Sequence, residues 1–200
     1  EFPFTPGKIF FVLNSADAHF GDFQKEFPAD KDGVDRVYSS LSAAYDATVT
    51  GRNDVIVLDG YSGHTLTSML SVSKNRVHFV GIDWLLGVRR RYGQSSRVRI
   101  GVTTAVTDLA AIQNTGVRNS FRGIKFSSSN TLTEGKYTFI DAGEYTYVEN
   151  CEFYLSSQLA VATAGEFVAN GDSGHYKNWE YIALRNCTLY TAFRIQSNGI

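Results

Sequence analysis

The chain has two cysteines and four scattered histidines in 200 residues, so neither a disulfide framework nor a His/Cys zinc set is expected. Cys151 and Cys187 read as small buried thiols. Charge is almost balanced, with 19 basic and 20 acidic residues. That balance gives no electrostatic case for nucleic acid or for an anionic membrane. No apolar run is long enough to cross a bilayer. The first residues lack the basic and apolar regions of a signal peptide, and there is no initiator Met, so a processed or partial chain is expected. Only three prolines interrupt the chain, while Phe and Tyr are abundant at 14 and 11, and Gly stands at 18. Aromatic-rich strands with tight corners suit that composition better than long helices.

One short pattern recurs four times: FVGIDW from Phe79, FRGIKF from Phe121, VENCEF from Val148 and LRNCTL from Leu184. Its third residue is Gly81, Gly123, Asn150 or Asn186. Gly and Asn are the residues that most readily take a left-handed backbone. Its first, fourth and sixth residues are apolar. A left-handed corner after the second residue would let the first and fourth both point inward, although a plain strand would set them on opposite faces. Apolar side, corner, then apolar-polar-apolar is the signature of a solenoid coil. The expected fold is therefore all-β, a right-handed parallel β-helix.

Leu70, Ile112 and Phe139 each lie eleven residues before a corner, which places a further strand at fixed distance. Phe167 lies nineteen before Asn186, so eight residues are inserted around 171–179. Insertions of this kind form protruding loops. Stacking would also line up Arg122, Glu149 and Arg185 in one column and Asp83, Lys125 and Glu152 in another, about 4.8 Å apart along the axis. The strand expected at 97–102 could add one more coil.

Residues 8–13 read as a buried strand, 14–33 as an irregular loop, and 35–49 as a helix capped by Asp35. A second buried strand follows at 54–58. Residues 1–53 thus form an N-terminal strand, loop and capping helix, and residues 54–200 form the coils. The helix would cover the open end of the solenoid. The opposite end, at Ile200, has no cap in the sequence. A continuing polypeptide or another chain is expected there.

No catalytic constellation stands out. There is no Gly-x-Ser-x-Gly elbow and no standard phosphate loop. Residues 30–35 (DKDGVD) offer oxygens around a Gly, but the EF-hand pattern fails because position twelve is Leu41, and a turn with a helix cap is the reading kept. Asp141, Glu144, Glu149 and Glu152 are the carboxylates open to a glycosidase role, which requires a pair about 5–10 Å apart. Their plain reading is a solvated face. His78 alternates with Val77 and Phe79 and is expected to face outward. Arg89, Arg90 and Arg91 form the densest basic cluster. Tyr176 and Trp179 lie on the inserted loop. These five are the candidate contacts for a partner or a glycan. No cofactor or metal is expected.

The order of these segments resembles a known group. A GKIFFV strand, a helix containing LSAA, and NDVIVLDGYSGHT lead to VHFVGI. This looks like the opening of the pectate-lyase-like right-handed β-helix proteins of tailed bacteriophages. In that group a strand, a helix and a Gly-Asp-x-Ile-x-Val segment precede the coils. Asn53 stands here where Gly is usual, and Asp59 where Pro often precedes Gly. The resemblance implies a virion protein, as a capsid decoration or spike or as a tail fibre or tailspike, and therefore a place on an extracellular particle. It implies other virion proteins as partners and a homo-oligomer such as a trimer. A host-surface glycan is a further expected partner. The alternatives are a polysaccharide-cleaving tailspike and a glycan-binding adhesin. No catalytic motif of the group falls on a matching residue.

Overall fold

Strands dominate the computed structural model, helices are few, and among the described residues every strand pairing is parallel. The structure describes residues 7–60, 63–82, 98–102, 110–128, 137–155, 166–169, 182–189 and 193–195.

The chain opens with β1 (Ile9–Val12), α1 (Phe20–Glu26), β2 (Val37–Tyr38) and α2 (Leu41–Ala47). Among the described residues, fifteen strands follow in five groups of three. They are β3 (Asp54–Asp59), β4 (His64–Leu66) and β5 (Leu70–Val72); then β6 (Val77–Ile82), β7 (Val98–Val102) and β8 (Ile112–Asn114). Next come β9 (Ser120–Arg122), β10 (Ile124–Ser128) and β11 (Tyr137–Asp141); then β12 (Thr146–Glu149), β13 (Glu152–Leu155) and β14 (Glu166–Ala169). The last group is β15 (Ile182–Arg185), β16 (Thr188–Leu189) and β17 (Phe193–Ile195).

The sheets interleave these groups. Sheet A runs β15-β12-β9-β6-β3-β1-β2, sheet B runs β16-β13-β10-β7-β4, and sheet C runs β17-β14-β11-β8-β5. The chain therefore visits A, B and C in the same order five times, and each strand pairs with its counterpart one circuit away. Leu70, Ile112, Phe139, Phe167 and Phe193 stand in one register column of sheet C, so the eleven-residue spacing reports a real alignment and the insertion before Asn186 does not break it.

Inward-facing apolar residues make this register costly to change, because a one-residue slip would turn them outward. Phe79, Phe121, Val148, Ile100, Ile124, Phe126, Phe153, Ile112 and Phe139 are all fully buried in one continuous cluster that draws on all three sheets. The rings stack between circuits: Phe79 on Phe121 at 4.8 Å and Phe126 on Phe153 at 5.2 Å. α2 contributes Leu41, Ala44 and Tyr45 to the same cluster, with Tyr45 stacked 6.3 Å from Phe79.

Several expectations need correcting. Residues 14–33 contain α1, a seven-residue helix whose short length gives little periodicity to read. α2 begins at Leu41 with Ser40 as its cap, whose Oγ accepts from the Ala43 amide at 3.2 Å. Residues 37–38, expected to be helical, instead extend sheet A by pairing with β1. β7 adds no extra coil; it supplies the sheet B strand of the second circuit.

Candidate functional site

Two bends organise the polar chemistry. The first joins sheet A to sheet B. Gly123, Asn150 and Asn186 all have positive φ there, at 67°, 53° and 52°. The Gly123 amide donates to the Glu149 carbonyl and the Asn150 amide to the Arg185 carbonyl, so the three bends are stacked and hydrogen-bonded to one another. Gly81 neighbours Gly123 but does not bend. It lies inside β6 and pairs with Leu58, because β3 and β6 run on as longer strands. A Cβ on Gly123 would sit 2.9 Å from the Gly81 carbonyl oxygen. Gly123→Ala therefore meets both left-handed strain and a backbone clash, and should lower stability by about 1–3 kcal/mol in a urea titration.

Charges flank this bend. Glu149 lies between Arg122 and Arg185 in register, with carboxylate oxygens 3.6 Å and 3.7 Å from their Nε atoms. Lys125 Nζ is 3.6 Å from Glu152. The first column is the one the sequence predicts. In the second, Lys125 is aligned with Arg99 and not with Asp83, because β7 occupies that position; Asp83 lies outside the described residues. Partly exposed pairs at these distances contribute only about 0–1 kcal/mol each. Their effect is on register.

The second bend joins sheet C to sheet A, and the sequence pattern did not reveal it. Asn53, Arg76, Arg118 and Tyr145 each have positive φ, and each lies two residues before the mutually registered or aligned Val55, His78, Ser120 and Tyr147. Arg and Tyr carry no left-handed preference, so only the register exposes them. The bend is held from inside. Asn119 Oδ1 accepts from the Val77 amide at 2.8 Å, and its Nδ2 donates to Asn114 Oδ1 at 2.8 Å and to the Lys74 carbonyl at 2.9 Å. Asn114 Nδ2 donates to Asp141 Oδ1 at 2.7 Å and to Thr146 Oγ1 at 2.9 Å; Thr146 Oγ1 donates to Asp141 Oδ1 at 2.9 Å. All four side chains are buried.

Burial dominates at Asp141 and pushes its carboxyl up to about 6, against the opposing hydrogen bonds from Asn114, Thr146 and the Gly143 amide. A raised carboxyl favours the protonated folded state. Its stabilisation is complete below pH about 4 and is lost as pH rises through about 6, a change on the order of 3 kcal/mol. Asp141→Asn keeps an accepting oxygen and removes the charge. It should melt higher than the parent at pH 8, and the gap should close by about pH 4. An unchanged gap across that range contradicts this.

Among the carboxylates open to catalysis, Asp141 is 3% exposed and cannot reach a polymer in solvent. Glu149 and Glu152 are engaged in the charge columns. Glu144 takes part through its backbone, forming a bridge with Val117 and accepting the Arg118 amide.

His78 is buried, contrary to the outward-facing expectation. It does point away from the Phe79 side, yet it is only 8% exposed, with Nδ1 2.8 Å from Ser120 Oγ. Burial, reinforced by Arg122, holds it well below the ordinary histidine range, at about 4. His64 is buried with Nε2 2.8 Å from the Asp59 carbonyl, and burial lowers it too. The 30–35 loop folds around an internal cation: Lys8 Nζ contacts Asp30 and lies 3.3 Å from Asp32, and Lys8 holds Asp30 down to about 2. No group of three or more metal-ligating side chains occurs among the described residues. Cys151 and Cys187 sit just after stacked bends, are not disulfide-bonded, and donate to backbone carbonyls at 3.4–3.7 Å.

Arg89, Arg90, Arg91, Tyr176 and Trp179 lie outside the described residues. No described helix is long and apolar enough to cross a membrane. No family model, curated protein or solved structure matches the chain.

Proposed function

We propose that this chain is a right-handed parallel β-helix and serves as a structural protein of a tailed-phage virion, as a capsid decoration or spike or as a tail protein. The observation that carries the reading is the fixed visiting order of three parallel sheets, repeated five times with register kept. A chain that leaves one strand and returns to pair parallel with its neighbour almost always makes a right-handed connection. The role follows from the opening pattern of strand, helix, NDVIVLDGYSGHT and VHFVGI, which resembles the phage group, and from what occupies the described polar residues. Asp141, Glu149 and Glu152 hold bends and registers together. A scaffold uses its polar groups in this way, whereas a hydrolase must leave two carboxylates facing a substrate.

The working partners are other virion proteins and further copies of the chain, with a trimer as the expected oligomer. Gold-labelled antibody against the chain, applied to purified particles, should decorate heads or tails, and native mass spectrometry should show an oligomer. A monomer absent from particles would overturn the assignment. So would release of new reducing ends from a host polysaccharide, which would move the chain to the enzymatic class.

A further inference from the structure

His78 stands on the outer face of sheet A, where an apolar patch meets the charge ladder. Its register neighbour on β3 is Val55, and Val80 follows it on the same side of β6. Val55 and Val80 both belong to the apolar cluster that α1 joins through Phe20, Phe23 and Phe27. On its other side lies Ser120 of β9, two residues before Arg122 of the ladder. We propose that His78 is an acid-operated latch: on taking up a proton it loosens α1 from sheet A while the stacked circuits stay folded.

The surroundings of the ring suit only its neutral form. Nδ1 lies 2.8 Å from Ser120 Oγ, and Nε2 is buried and meets no hydrogen-bond partner. A neutral imidazole has one N–H and one lone pair, and a hydroxyl serves either. The imidazolium has two N–H donors, and only one of them has an oxygen to meet here. A second proton therefore places a charge in a buried site and leaves a donor unmatched, and both are costly. The charged groups acting on the ring do not offset this. Arg122 on β9 opposes protonation. Asp54 on β3 favours it more weakly, and its carboxylate is already engaged by Arg52 and by the Lys8 and Val49 amides. Glu149 on β12 is held between Arg122 and Arg185. α1 carries Asp22, Lys25 and Glu26, which are exposed, and Asp22 pairs with Lys25 at 3.3 Å.

α1 is the element that yields. It has seven residues, none of them fully buried, and no side-chain hydrogen bond caps its start at His19. Its hold on the sheet is the apolar contact of its rings. β6, by contrast, is hydrogen-bonded to β3 on one side and β9 on the other. Water reaches a charged His78 at less cost by lifting a short surface helix than by parting three strands. The sign follows from the ring being held below the ordinary value of 6.5, at about 4. Closure is fully favoured above pH about 6.5 and is lost as pH falls toward about 4. Between pH 7 and 4.5 the opening constant should rise on the order of fiftyfold.

Hydrogen exchange of the whole chain, read by mass spectrometry and corrected for intrinsic rates, tests this. Protection of the 20–27 segment should fall on the order of fiftyfold between pH 7 and 4.5, while β9, β10 and β12 keep theirs. His78→Gln stays polar and does not titrate, and its 20–27 segment should show the same protection at both pH values. His19→Asn, at the exposed start of α1, should leave the acid response in place. The parent carries its own check, independent of whether the His78 variant folds: the His78 ring signal in a proton NMR titration should change charge over the interval in which α1 loses protection. Unchanged protection of 20–27 in the parent overturns the proposal. So does an acid response that persists in His78→Gln, a His78 ring that titrates without any change in α1, or loss of protection in all circuits together.

Discussion

Replacing Phe121 with alanine should cost about 4 kcal/mol of folding stability, read as a lower urea midpoint at unchanged slope. Phe121 is fully buried and touches a ring from each direction that matters. Phe79, one circuit earlier in sheet A, stacks on it at 4.8 Å and 8°. Phe139 of sheet C meets it edge-on at 4.9 Å, and Phe126 of sheet B at 6.1 Å. Truncation thus opens a cavity where all three sheets converge and removes stacked and edge contacts worth about 0.5–1.5 kcal/mol each beyond area burial. The walls are strands hydrogen-bonded on both sides, so they cannot collapse into the space. Val49→Ala, at a residue 48% exposed, is the matched control and should stay within about 0.5 kcal/mol of the parent. A loss below about 1.5 kcal/mol for Phe121→Ala would mean that the interior is not close-packed.

Asp54→Ala should be comparably severe, at about 3–5 kcal/mol, for an electrostatic reason. The Asp54 side chain is fully buried and accepts four hydrogen bonds. They come from the Lys8 amide at 2.8 Å, the Val49 amide at 2.7 Å, and Arg52 Nε and Nη2 at 2.7 Å each. One carboxylate therefore joins the start of β1, the turn after α2 and the start of β3. Its removal strands two backbone donors and leaves a guanidinium without its counter-ion. Asp54→Asn should rescue little, since each oxygen of Asp54 receives two donors and an amide must turn its NH₂ toward one of those pairs. Arg52→Ala should cost less, near 1 kcal/mol, because Arg52 is partly exposed and Asp54 keeps its backbone donors. Hydrogen exchange checks the mechanism: the Lys8 and Val49 amides should lose protection in both Asp54 variants. Retained protection there would contradict it.

Left-handed preference is a strong signal for Gly and Asn, and it made the bend at Gly123, Asn150 and Asn186 legible in the sequence. So were the column of Leu70, Ile112 and Phe139 and the Arg122–Glu149–Arg185 ladder, because both keep a constant offset from the Gly/Asn position of the repeat, and Phe167 joins the column across its insertion. The same logic misassigned Gly81. Its apolar-Gly-apolar context is equally that of a longer strand, and the pairing of β3 with β6 decides the matter through contacts far from Gly81 in sequence. The expected alignment of Asp83 with Lys125 fails because β7, after the long stretch that follows Ile82, is itself the sheet B strand beside β10 and not an addition. The other bend was illegible for a different reason. Arg76, Arg118 and Tyr145 are forced into left-handed geometry by the stack itself, and tertiary register leaves no local signature. The burial of His78 was likewise invisible, since alternation shows which side of a strand a residue takes but not whether that side is covered.

The stacking of circuits is tested most directly by one distance. Ser71 and Arg194 stand at the two ends of the register column that runs through Gln113, Ile140 and Val168. Spin labels at these two positions, with both native cysteines changed to serine, report their separation by pulsed electron–electron resonance. Four parallel steps place the two backbones about 19 Å apart, and a single narrow distribution near that value is expected. A broad distribution, or one centred beyond about twice that distance, would show that the circuits are not stacked in order.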